Sequence, residues 1–167
     1  CVRTTNANKN NTIIDVDITG ASRHGIQLYY KTNLKIQNVG GGKHGGYWES
    51  GITAYLGNGI EVSAGCIGVQ ILECEQNDIW DSAFTTQLYE TTAATARSHE
   101  YRNVKSKRFG LAGVEISIPG IDANQTIKDV YVSGAVLGDG ISNWANKPPG
   151  YANSAVSTLS NGLTNLI

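Results

Sequence analysis

Three carboxylates in this chain stand where acid–base chemistry would need them. Glu61 lies in "GIEV" (59–62), Glu115 in "GVEI" (113–116), and Asp81 just ahead of "AFTT" (83–86). A glutamate between β-branched neighbours belongs on a strand, its side chain on the face away from them. Two carboxylates on one rigid surface can divide the work of cleaving a glycosidic bond. One gives a proton to the leaving oxygen, and the other activates water or attacks the sugar. Their separation then sets the stereochemistry, roughly 5 Å for a retaining pair and roughly 6.5–9.5 Å for an inverting one.

The elements that must position these acids are visible as a repeat. An apolar residue, any residue, an acid or amide, then Val or Cys recurs as "IIDV" (13–16), "IQNV" (36–39), "ILEC" (71–74), "YRNV" (101–104) and "IKDV" (127–130). Each is followed by a turn and a second short strand: "GIQL" (25–28), "GIEV", "AFTT", "GVEI" and "GISN" (140–143). Successive units start 23, 35, 30 and 26 residues apart, a loose period with insertions. Stacked strands about 4.8 Å apart would bury Ile36, Val39, Ile71, Cys74 and Val104 and leave Gln27, Glu61, Thr85, Glu115 and Ser142 in an outward column. Glu61 and Glu115 then stand about 9.6 Å apart across Thr85, with Asp81 at the rim. The recurring Asp15, Asn38, Glu73, Asn103 and Asp129 read as a structural ladder at a corner.

This pattern resembles the right-handed parallel β-helix of the pectin-lyase-like superfamily. The resemblance covers about 11–145 and is closest across "GNGIEVSAGCIGVQILECEQNDIWDSAFTTQ" (57–87). It implies an all-β fold, a single parallel β-helix of about five to six coils spanning 1–167, with 146–167 as a tail or partial coil. It also implies a segment of a longer solenoid, whose open strand edges are capped by flanking coils or another chain. A polysaccharide or oligosaccharide would lie along an external groove over the second strands. The long turns "GGGKHGGYWESGITAYLGN" (40–58) and "LYETTAATARSH" (88–99) would border that groove. They make Tyr47, Trp48, Glu49, Gln87, Tyr89, His44 and His99 the expected substrate-binding residues, the aromatics as flat platforms for sugar rings. Glu49 belongs to an alternative register that uses "GITA" (51–54) in place of "GIEV"; the spacing to "ILEC" favours "GIEV".

The expected activity is glycoside hydrolysis with no cofactor. A polysaccharide lyase, with Ca²⁺ as its charge sink, and a non-catalytic glycan-binding shaft of a tailspike or adhesin are the alternatives. The "vWiDH" motif of pectate lyases and the Asn-x-Asp, Asp-Asp, Gly-His-Gly set of polygalacturonases are both absent. The 167 residues carry a net charge of −1 with 16% charged residues, which gives no basic footprint for nucleic acid. No apolar run reaches the roughly 18 residues that span a bilayer. His24, His44 and His99 show no metal spacing, so no metal is expected. "VGGGKHGG" fits G-x-G-x-x-G, but no helical pattern follows it to receive a phosphate. The three cysteines read as thiols, with Cys74 in a core position. A chain that begins at Cys1 and lacks Met reads as a processed product or part of something longer. The setting that suits it is secreted, periplasmic, or on a cell or virion surface.

Overall fold

A computed structural model describes residues 2–4, 9–45, 57–88, 95–117, 126–137, 154–159 and 163–166. Among them there is no helix, and the chain forms parallel sheets. The first sheet runs β1 (Val2–Thr4), β3 (Ile26–Leu28), β5 (Ile60–Val62), β8 (Phe84–Gln87), β11 (Ala112–Ser117), β14 (Ser154–Leu159). The second runs β2 (Thr12–Thr19), β4 (Lys35–His44), β6 (Gln70–Leu72), β9 (Thr95–Arg102), β12 (Thr126–Ser133), β15 (Leu163–Leu166). Short β7 (Asn77–Ile79) also pairs with β4, and β10 (Lys105–Ser106) pairs with β13 (Val136–Leu137). The chain visits the two main sheets in turn, and each return lays a strand in parallel beside the previous one.

Apolar residues at alternate strand positions meet between the sheets. Ile26, Leu28, Ile60, Val62, Phe84, Val114 and Ile116 come from the first sheet. Ile36, Val39, Ile71, Cys74 and Val104, the inward residues expected from the repeat, all lie in the same core. Cys66 and Cys74 are buried free thiols, and burial pushes both up to about 11. Two hydroxyls inside the core satisfy each other, Thr86 Oγ1 and Tyr101 Oη at 2.6 Å.

The repeated acid or amide has a backbone cause. Asp15, Asn38, Glu73 and Asn103 stand in one column and adopt φ between 51° and 56°. That left-handed region bends each pass within or just after its second-sheet strand, and Asn and Asp tolerate it better than other non-glycine residues. Asp129, expected in that column, stands opposite Ser98, and Gly134 takes its place beside Asn103. The ladder is tied laterally, with Asn38 Nδ2 donating to Asp15 Oδ1 at 2.7 Å. The glycine opening "GIEV" answers a different need. A Cβ at Gly59 would sit 2.3 Å from the Ala83 carbonyl oxygen, so neighbouring passes close only on glycine there.

The pairing fixes the outward column. Gln27 stands opposite Glu61, Glu61 opposite Thr85, and Thr85 opposite Glu115. "GIEV" is therefore the strand of its pass, while "GITA" lies outside the described residues. The column departs from expectation at its end. The strand beside β11 is β14, which sets Ser157 opposite Glu115. Ser142 lies outside the described residues. Strands β14 and β15 both fall within 146–167 and extend the two sheets beyond residue 145.

Candidate active site

On the face of the first sheet opposite the core, alternation places Gln27 and Tyr29, Glu61 and Ser63, Thr85 and Gln87, and Glu115 and Ser117 in a two-wide grid. The acids on this face are buried: Glu61 is 1% exposed, Glu115 3% and Asp81 5%. The expected open groove is thus a closed polar layer at these residues.

Each glutamate is held by donors. Glu61 Oε1 accepts from Gln27 Nε2 at 3.0 Å and from Ser63 Oγ. Its Oε2 accepts from Asn58 Nδ2 at 2.8 Å and lies 3.0 Å from His24 Nδ1. That nitrogen is also 3.2 Å from the Asn58 N–H. It can take the amide proton with a lone pair or give a proton to Glu61, one at a time. Glu115 Oε2 accepts from Ser82 Oγ at 2.5 Å and Gln87 Nε2 at 2.8 Å, and Oε1 accepts from Ser117 Oγ at 2.9 Å.

The two glutamates are joined by a chain with a fixed polarity. The Ser82 N–H donates to Asn58 Oδ1 at 3.0 Å, so the Asn58 amide must turn its NH₂ toward Glu61 and Gln87. Gln87 Oε1 accepts from Asn58 at 3.3 Å, which leaves its NH₂ for Glu115. A backbone donor, which cannot flip, sets the direction of every amide in the row.

Asp81 differs. Its Oδ1 is buried without a hydrogen-bond partner. Its main-chain carbonyl accepts from the Gly110 and Leu111 N–H groups, both at 3.0 Å, anchoring it against the next pass. Burial, reinforced by the charges of Glu115 and then Glu61, raises its carboxyl well above the ordinary carboxylate range. The larger charge effect comes from Glu115 and the smaller from Glu61.

Among the expected substrate-binding residues, only Gln87 joins this network. Tyr47, Trp48, Glu49 and Tyr89 lie outside the described residues. His44, at the end of β4, accepts the Ala21 N–H at Nδ1 (3.3 Å), and His99, on β9, accepts the Val69 N–H (3.2 Å). Both are buried, and burial lowers them to about 4 and about 3. Neither hydrogen-bonds any of the three acids. Sequence reasoning missed Asn58, Ser82, Ser63 and Ser117, and gave His24 no part in the site. A signal was present: His24, Asn58 and Ser82 each precede the small residue that opens a strand. The Gly25 N–H to Asn58 O and Gly59 N–H to Ser82 O bonds, both 3.0 Å, put them in register.

Among the described residues no group of three or more His, Cys, Asp and Glu is arranged to hold a metal ion. No helix there is long and apolar enough to cross a membrane. An open cleft of about 800 Å³ follows the ladder, lined by Asp15, Asn38, Glu73, Asn103 and Lys105 among others. It lies on the second sheet's side, away from the acid cluster. Comparison with family models, curated proteins and solved structures finds no match to this chain.

Proposed function

We propose that the chain is a stretch of right-handed parallel β-helix that hydrolyses a glycosidic bond in a polysaccharide or oligosaccharide, outside the cell or on a virion surface. Strands returning in parallel register, and a left-handed corner residue in each pass, support the helical winding. One observation carries the chemistry: a buried Asp81 whose carboxyl holds its proton above the ordinary range, beside two glutamates bound by donors. Such a group can protonate a leaving oxygen. Glu115 is the matching base. A carboxylate has about four acceptor positions. When His24 Nδ1 gives its proton to Glu61, all four of that acid's positions are occupied, whereas Glu115 Oε1 has one left.

In this mechanism Asp81 gives its proton to the glycosidic oxygen as the carbon–oxygen bond breaks. Glu115 takes a proton from the water whose oxygen bonds the anomeric carbon. One water is consumed, two hydroxyls form, and proton exchange with solvent restores both carboxyls. Hydrolysis of a panel of neutral and acidic polysaccharides, followed by new reducing ends, tests the reading. Reducing ends without an unsaturated product support it; unsaturated product indicates a lyase, and silence across the panel overturns it. The near-complete burial of all three acids favours a second reading, a glycan-binding shaft whose polar layer locks adjacent passes. Under that reading Glu115→Gln costs stability and changes no turnover.

A further inference from the structure

One buried side chain in the acid layer is used by nothing above. Thr85 stands on the rung between Glu61 and Glu115, is fully buried, and its Oγ1 has no hydrogen-bond partner. Asp81 Oδ1, four residues earlier, is in the same condition. The third unfilled position is the remaining lone pair of Glu115 Oε1, which only Ser117 approaches. Buried polar groups in folded proteins are seldom left unpaired, and two such atoms with a spare carboxylate lone pair call for a ligand that satisfies all three.

We infer that Thr85, Asp81 and Glu115 form a site for a single hydroxyl oxygen, either water or a hydroxyl of the sugar. The valences match. Such an oxygen accepts the Thr85 O–H and can donate to Glu115 Oε1, leaving its second proton or lone pair for Asp81. A metal ion fits poorly, because a threonine hydroxyl offers it a neutral ligand and the acids are not grouped to coordinate one. Thr85 is then a positioning residue, set by the sheet register between the two glutamates.

The inference deepens the hydrolase reading, yet its first test stands apart from activity. In a high-resolution crystal structure of the free protein, an ordered water is expected within about 3.2 Å of Thr85 Oγ1. It should be lost in Thr85→Val, which keeps the shape, and retained in Thr85→Ser. A dry Thr85, with Thr85→Val melting at or above the wild-type temperature, overturns the inference whatever the protein's activity. On a polysaccharide that wild type cleaves, Thr85→Val should lower kcat roughly tenfold at constant KM if water is held there. A rise in KM at constant kcat assigns the site to a sugar hydroxyl instead, and Thr85→Ser should recover most of either loss. Turnover by Thr85→Val that matches wild type in both parameters removes the positioning role. If no polysaccharide is cleaved, the hydrolase reading fails while the ordered oxygen still decides the site.

Discussion

Two columns of polar residues climb this molecule at the same spacing, and they do opposite things. On the second sheet, Asp15, Asn38, Glu73 and Asn103 are exposed and bend the backbone at positive φ. On the first sheet, Gln27, Glu61, Thr85 and Glu115 lie on extended strands, and the last three are buried. An acid in the first column serves the main chain, and its charge is incidental. An acid in the second column has its backbone in the ladder already, so its carboxylate is free for other work. Periodicity alone gives the two columns equal standing; backbone dihedral and burial separate them.

The sharpest way to break this contrast is to replace acids of the buried cluster and an acid of the ladder. Asp81→Asn and Glu115→Gln should each lower turnover on a cleaved polysaccharide by about 10²–10⁴-fold, the usual worth of an acid–base group. Glu73→Gln, on the ladder, should leave it unchanged. Equal effects in both columns would dissolve the distinction.

Stability against pH should divide the same way. A native carboxyl raised above its unfolded value binds more protons folded than unfolded, so Asp81 contributes a loss of stability as pH climbs from about 3.8 toward its native value. Asp81→Asn should flatten the unfolding free energy over that range, as read by urea titrations at several pH values. His99 has the reverse sign. Lowered from 6.5 to about 3, it binds fewer protons folded, so stability falls as pH drops through that window. His99→Asn keeps an acceptor for the Val69 N–H and should soften the acid transition.

The smallest expected effect belongs to the ladder itself. Asn38→Ala should cost about 1 kcal/mol, because alanine resists φ of 51°. Glu73→Asn, at φ of 56°, should gain up to about 1 kcal/mol. Chemical denaturation of both variants reads these directly, and an unchanged midpoint would mean the corners relax.

Much of this was legible in the residues. The alternation around Glu61 and Glu115 predicts their face because strand parity is local, and the ladder residues announce themselves because few side chains tolerate the corner. Asn58 and Ser82 stayed hidden, since they precede strands, where no two-residue period operates. Their partners lie on neighbouring passes. Burial of the acids was equally illegible, being a property of what surrounds a face and not of its pattern. The final strand was misplaced for a countable reason. Ile71 to Phe84 and Tyr101 to Val114 each span 13 residues, but Val132, the partner of Tyr101, to Val156 spans 24.

Parallel pairing also has a consequence for when the site can exist. Glu61, Thr85 and Glu115 are rung neighbours separated by 24 and 30 residues of chain. No hairpin or peptide fragment contains even two of them in their working geometry. Each contact must first close a long loop, whose entropy is lost before the hydrogen bonds return anything, which makes such topologies slow to fold. During synthesis the acid cluster stays unformed until the pass containing Glu115 has docked, so whatever reactivity it has arrives late and in a single step.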